Sequence, residues 1–438
     1  MQIYKYVKEY EYKGYDKMNC SQLEKRGRMM YIFEAALEYF ISILVSGSFL
    51  ATLTKELGIS DRLTGILSSV ISLGCLFQLL TITIRRRQVK KIVIWLSIAN
   101  QFLFMLLYVV PLFEINKTVK IAVFVIFIFW AYVIYNFIHP KKIDWLMSMV
   151  EDKNRGRFTA NKEIVSLALG MVFSFLMGTV IDSFSEKGQT RTALAISAAV
   201  IFILMVLHTL TMVFTVEKDS GVQERVNSLQ SVKDVFANKN VLQIAILFVL
   251  YYISTYISTP FYGTYQIGEL GLNLKFISVI TMCGSISRLL VSKFWGGYAD
   301  KRSFAAMIEK CFVFLAMGQL AVIFAIPETG KIMFVIYQIF HGVALGGINS
   351  ALINLIFDYV PVDKRANSLA VTQAVAGVVG FMTTLLISPL VSYIQNNGNT
   401  LCGIRIYAQQ FITVIAFVFT IISIIYIRKV VMKQVKPT

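Results

Sequence analysis

Long apolar runs, cut by short polar stretches, set the pattern of this chain. Five of them carry no Asp, Glu, Lys or Arg: Leu63–Ile84, Ile92–Phe113, Thr192–Val216, Ile332–Phe357 and Ile406–Ile427. At about 1.5 Å per residue, each crosses a hydrocarbon layer of roughly 30 Å as a helix and is much too long for a buried strand. Weaker runs complete the series at Tyr31–Thr54, Thr118–Ile138, Ile164–Ile181, Val241–Tyr262, Leu274–Trp295, Phe304–Ile326 and Ala366–Tyr393. Backbone groups in lipid have no water to bond, so each segment must satisfy its own, and helices do this. The pattern predicts an all-α integral membrane protein with twelve transmembrane helices.

Composition agrees. With 56% hydrophobic residues, 33 Phe and only 15% charged residues, the chain cannot present a wet surface on all sides. Charge then orients it. With the termini inside, the inner segments hold 32 Lys and Arg and the outer loops nine, with Arg288 left inside a span. The positive-inside bias therefore predicts both termini in the cytoplasm and a multi-pass protein of the cytoplasmic membrane. It also accounts for the net charge of +17 without nucleic acid. Arg85, Arg86, Arg87, Lys90 and Lys91 lie directly between two spans, where lipid head groups are their natural partners. The tyrosine-rich segment Met1–Arg28 has no cleavable-signal pattern. The five cysteines are scattered, implying neither a disulfide framework nor a zinc site.

The first half of the chain echoes in the second at an offset near 210. Gly74 falls on Gly284, and Arg155-Gly156 falls on Arg365-Ala366. Glu56-Leu57-Gly58-Ile59-Ser60 parallels Glu269-Leu270-Gly271-Leu272-Asn273 at an offset of 213. The expected organisation is an N-terminal arm (1–29), a six-helix bundle (30–216), a polar linker (217–240), a second six-helix bundle (241–427) and a tail (428–438). Two pseudo-symmetric bundles leave a space on their shared axis, open to one side or the other as they rock.

Gly296-Gly297-Tyr298-Ala299-Asp300-Lys301-Arg302 resembles the cytoplasmic loop pattern of the major facilitator superfamily of secondary transporters, Gly296, Asp300 and Lys301 matching and Ser303-Phe304 departing from it. The first-half copy keeps only the basic cluster. Asp152-Lys153-Asn154-Arg155-Gly156-Arg157 and Pro361-Val362-Asp363-Lys364-Arg365 resemble the family's Pro-x-x-x-Arg-Gly loops. The resemblance spans about residues 30–430 and implies transport by alternating access, with a functional monomer and no enzymatic chemistry. On that reading Gly296, Gly297, Asp300, Lys301, Arg302, Asp152, Arg155, Gly156, Asp363 and Arg365 form a cytoplasmic gate or latch. The two glycines are expected to allow close helix approach. Asp300 is expected to cap the following helix or to reach a basic neighbour.

Polar groups within the spans are the remaining candidates. Glu34 and Glu38, four residues apart, share a helix face and suit a proton carrier, a cation ligand, an ion-pair partner or an interfacial charge. Arg288 sits about 12 Å up its helix from the Gly296 segment, placed to meet an anionic or hydroxylated solute, to neutralise Glu38, or to snorkel. His208 and His341 are either proton shuttles or buried neutral histidines. Tyr252 and Tyr256 share a face suited to a sugar-like solute or to an interfacial belt. Asn349, Asn354 and Gln373 are cavity or helix–helix groups. No Walker loop, serine elbow or metal-ligand spacing is present, which argues against an ATP-driven pump or a membrane hydrolase. The expectation is a carrier of a small organic solute, with proton coupling open. A drug or lipid exporter and a non-transporting sensor are the alternatives.

Overall fold

The computed structural model describes residues 20–78, 89–151, 154–216, 237–360, 365–401 and 403–434. Its elements are α1 (Cys20–Leu44), α2 (Gly47–Glu56), α3 (Asp61–Gly74), α4 (Val89–Val109), α5 (Lys117–Met147), α6 (Arg155–Glu186) and α7 (Thr190–Val213), followed by α8 (Lys239–Tyr256), α9 (Leu274–Lys301), α10 (Phe304–Ile323), α11 (Gly330–Phe357), α12 (Arg365–Asn396) and α13 (Ala408–Tyr426). A two-stranded hairpin, β1 (Thr400–Leu401) with β2 (Ile404–Arg405), joins the last two helices. Among the described residues, ten helices are long and apolar enough to span, and an eleventh span forms if α1 and α2, bent by 43°, count as one. The expected second span, Leu63–Ile84, begins as α3, but its last residues lie outside the described ones, as do 217–236 of the linker.

Several boundaries differ from the sequence expectation, each for a local reason. The expected N-terminal arm is helical from Cys20, so α1 begins well before the apolar run. Pro140 was expected to lie beyond the fourth span. Helix α5 instead continues through it to Met147. The Gly296 segment, expected as a loop, forms the last turns of α9. The break before α10 comes at Ser303, whose hydroxyl caps that helix by accepting from Ala306 N–H at 3.1 Å.

The surface inverts that of a soluble protein. Leu386, Leu290, Ile332, Trp95 and Phe294 stand outward, each more than 60% exposed, facing the medium that the long apolar helices require. Inside, one core cluster runs through α1 to α7 and another through α8 to α13. From beyond residue 241 the first takes in buried Leu274, with the partly buried Ile267 and Phe381 packed against it.

The repeated pentapeptide folds the same way twice. Gly58 and Gly271 both stop a helix in the left-handed region, with φ of +64° and +62°, where a side chain would be strained. Two residues on, Ser60 accepts from Leu63 N–H at 3.4 Å and Asn273 from Phe276 N–H at 3.0 Å, capping α3 and α9. The paired glycines Gly74 and Gly284 also do equivalent work. A Cβ on the first would collide with Asn136 of α5, and one on the second with the Gln338 carbonyl of α11. A Cβ on Gly342 of α11 would in turn collide with the backbone carbonyl of Gly284.

Across the seam between the two sets of helices, α3 packs on α12 and α6 on α9. One end is held by side-chain hydrogen bonds. Asp182 of α6 accepts from the N–H groups of Leu274 (3.1 Å) and Lys275 (2.7 Å) at the start of α9. Ser48 donates to Gln266 at 2.6 Å, and Ser174 to Ser278 at 2.9 Å. This is the end that the loop charges assign to the outside.

Replacing Gly342 by Val is expected to cost on the order of 1–3 kcal/mol through overpacking against α9. Gly297→Ala, with open space around it, should be neutral or stabilising by up to about 1 kcal/mol. Unfolding of the purified protein in detergent checks both, and equal losses would contradict the close approach of α9 and α11.

Candidate functional site

Four charged or titratable side chains from three helices meet inside the first set. Glu34 and Glu38 lie one turn apart on α1, Lys142 near the end of α5 and His208 on α7. The Lys142 ammonium stands 2.8 Å from Glu34 and 2.5 Å from Glu38. His208 Nε2 is 3.0 Å from the same Glu34 oxygen, so with a carboxylate acceptor this nitrogen carries the proton. Glu34, Lys142 and His208 are 1%, 2% and 0% exposed, whereas the Glu38 side chain keeps 22%. The cluster is therefore closed on the Glu34 side and reachable at Glu38. Burying these charges in lipid is tolerable only because each finds its opposite.

Around it stand aromatic groups. Lys162 of α6 donates to the Tyr31 hydroxyl at 3.1 Å and lies over that ring, and the rings of Tyr135 and His139 pack 5.2 Å apart on α5. Glu34, Glu38 and His208 bring donor atoms within 4.8 Å of one another, a set able to hold a metal ion. The Lys142 ammonium already fills the cation's place between the two carboxylates. A metal enters that set only if the lysine withdraws.

Arg288 belongs to a different arrangement. Its guanidinium donates to Glu163 of α6, across the seam, and not to Glu38. The Arg288 and Glu163 side chains are 27% and 44% exposed, and both Tyr39 of α1 and His341 of α11 feel the Arg288 charge. His341 stacks on Tyr337 at 5.0 Å, and Tyr252 stacks on Tyr256 at 5.5 Å. Asn349 is exposed, Asn354 donates to the Ser350 carbonyl and Gln373 is half-buried. The chemistry thus falls into a buried cluster in the first set and an accessible ion pair bridging the seam.

The expected latch reads differently. Gly296 and Gly297 are exposed, with nothing near enough to meet a side chain, so they mediate no close helix contact. Asp300 does not cap α10, since Ser303 does, and among the described residues no cation lies within ion-pair distance of it. Lys301 and Arg302 are exposed at the same helix end. Arg365 donates to the Val360 carbonyl at 3.2 Å and covers the Phe357 ring, a contact local to its own turn. Asp152 and Asp363 lie outside the described residues, as do the side chains of Arg155 and Gly156.

Sequence reasoning missed Lys142 and Glu163. Lys142 follows Pro140 among charged residues and read as part of a cytoplasmic loop. The signal lay in the spacing of Tyr132, Tyr135, His139 and Lys142, one face of a helix continuing past the proline. A recess of about 320 Å³ between α1, α6 and α7 holds none of these charges, being walled by Met30, Phe33, Phe40, Leu169, Leu207 and Phe214.

Long apolar helices around buried, paired charges define the class as a polytopic membrane protein. Residues 32–384 match the family model described as Major Facilitator Superfamily, and the chain belongs to that family, whose members are transporters rather than enzymes. Solved structures agree in fold. The nucleoside transporter NupG superposes with a TM-score of 0.67 at 15% identity, over 96% of this chain and 100% of that one. The POT family transporter PepTSo gives 0.69 at 11%, over 93% and 99%. A bacterial homologue of the iron transporter ferroportin, in its inward-facing state, gives 0.66 at 12%, over 94% and 99%. No curated protein matches the chain.

Lys142→Met strands two carboxylates and is expected to cost about 3–5 kcal/mol, read as a lowered unfolding midpoint in detergent. Adding Glu34→Gln and Glu38→Gln to it should recover most of that loss. A neutral single variant would refute the pairing.

Proposed function

We propose that the chain is a secondary active transporter that carries a small organic solute across the cytoplasmic membrane by alternating access, coupled to protons. Two six-helix bundles, twelve spans in all, rock about a central site, with both termini cytoplasmic and the monomer as the working unit. The observation that carries this reading is the charge balance of the buried cluster. Two carboxylates face one ammonium, so with His208 neutral the group holds one negative charge that a single proton cancels. Glu38, the accessible member, is where that proton arrives. Protonated, it releases Lys142 to Glu34 alone and loosens α1 from α5.

The solute meets the seam. Arg288 and Glu163 offer a donor fork and an acceptor side by side, with Tyr39 beside them, and the stacked Tyr252 and Tyr256 supply an aromatic face. Such a surface suits a polyhydroxylated solute with a ring face, such as a sugar. A bound solute that replaces Arg288 for Glu163 removes a charged bridge between the two sets and so favours their relative motion. A second reading, export of a lipid or apolar drug, is favoured by the 320 Å³ apolar recess on α1, α6 and α7.

Uptake of a panel of sugars, nucleosides and apolar drugs into proteoliposomes, with and without an imposed pH gradient, tests both. Glu38→Gln should abolish gradient-driven uptake while sparing solute exchange, and unchanged gradient-driven uptake would remove Glu38 from the mechanism. Binding without accumulation would make the protein a sensor.

A further inference from the structure

We propose that the seam carries, at its sealed end, a site for a hard divalent cation of the calcium class, formed by Asp61, Glu269, Asn399 and Gln409 about the amide of Gln395. Asp61 is the first residue of α3, and Glu269 ends the irregular helical turns that follow α8. Gln395 and Asn399 lie at and just past the end of α12, and Gln409 opens α13. Gln395 Nε2 donates to Asp61 Oδ2 at 2.8 Å and to Glu269 Oε1 at 3.3 Å. One nitrogen therefore stands between two carboxylates. Asn399 Nδ2 donates to the other Glu269 oxygen at 3.2 Å, and Gln409 Nε2 approaches Asp61 Oδ2 at 3.5 Å. Among the described residues, no lysine, arginine or histidine pairs with either carboxylate within 4.0 Å. Two negative charges are thus gathered under neutral donors alone.

The amide oxygens are the independent observation. Gln409 is fully buried, and its Oε1 accepts from no donor among the described residues. The same is true of Asn399 Oδ1. Asn399 is also the one described residue other than glycine in the left-handed region, with φ of +56°. A buried acceptor left unbonded costs free energy, and two beside a pair of carboxylates make a set short of positive charge. Carboxylate and amide oxygens in irregular geometry are the ligands of Ca²⁺, whereas Mg²⁺ demands a small octahedral shell and retains its water. A divalent ion cancels both charges where a monovalent ion cancels one. The amides of Gln395, Asn399 and Gln409 all present their nitrogens to the carboxylates, and turning them over would bring three oxygens to the ion in their place.

Asp61 belongs to the first set of helices and the other four residues to the second, so the ion ties the two together at this end. That gating consequence rests on the alternating-access reading, but ion binding does not. Failure of transport would appear in the flux assay and leave the binding isotherm unchanged.

The full-length protein in detergent, stripped with a chelator and titrated calorimetrically with CaCl₂ in KCl, should take up one Ca²⁺ per chain. The expected dissociation constant is about 0.1–1 mM, the range of weak oxygen-ligand sites. Asp61→Asn and Glu269→Gln should each weaken binding by about tenfold or more, and Ca²⁺ should raise the unfolding temperature of the wild type more than equal MgCl₂ does. No heat and no thermal shift for the wild type up to about 10 mM Ca²⁺, well past that range, would overturn the site. So would variants that bind as tightly as the wild type. Should either carboxamide variant fail to fold, Gln395→Glu decides: the third carboxylate must increase the Ca²⁺ stabilisation, and an unchanged or smaller one refutes the assignment.

Discussion

A lysine held between two glutamates, out of reach of water, is the constraint around which the first seven helices are organised. An ammonium or a carboxylate alone at that depth would be expelled or neutralised. Together, Lys142, Glu34, Glu38 and His208 hold α1, α5 and α7 in register through three contacts. The need to deliver Lys142 to that point explains why α5 stays helical past Pro140. The proline sacrifices one backbone bond, and the charge pairing beyond it compensates. Because the cluster is tight at Glu34 and open at Glu38, its response to a change of charge has a direction, starting at the accessible carboxylate.

The seam between the two sets is built on another principle. Its sealed end relies on side chains from one set satisfying groups at helix starts in the other. Asp182 binds the first amides of α9, and Gln395 meets Asp61 in the first turn of α3. These two contacts lie 213 positions apart on both sides, the spacing of the repeated pentapeptide. Separating that end would leave amides and carboxylates without protein partners, so water must enter as the contacts part. Deeper in the seam the Arg288–Glu163 pair bridges α9 and α6 with partly exposed side chains, a contact that a competing polar solute can replace.

Much of the fold was legible because lipid imposes a severe pattern. Uncharged stretches the length of a bilayer admit one secondary structure. The repeat of Glu56–Ser60 in Glu269–Asn273 was also visible, and the structure shows why it recurs: a left-handed glycine and a cap each depend on one or two residues. The site was less legible. Glu34, Glu38, His208 and Arg288 stood out as polar groups in apolar runs. Their partners Lys142 and Glu163 did not, because both lie in charged stretches at the ends of spans, where a solvated residue and a buried one look alike. Asp300, by contrast, drew attention through a loop pattern, and the structure finds it exposed at a helix end with its expected cap supplied by Ser303. Pairing is a tertiary property, and spacing along one helix reports only which residues share a face.

The repeat and the buried charges together say something about how such a molecule acquires direction. Carried 210 positions forward, Glu34, Glu38 and Lys142 fall on Ile244, Phe248 and Leu352, all buried and apolar. Duplicated punctuation in the backbone coexists with a charge cluster that has no counterpart at the matching positions, the second set holding a different buried carboxylate, Glu309, paired with Arg428. The scaffold is nearly even-handed while its charge is not, so at matching depths the two sets present different chemistry to whatever comes between them.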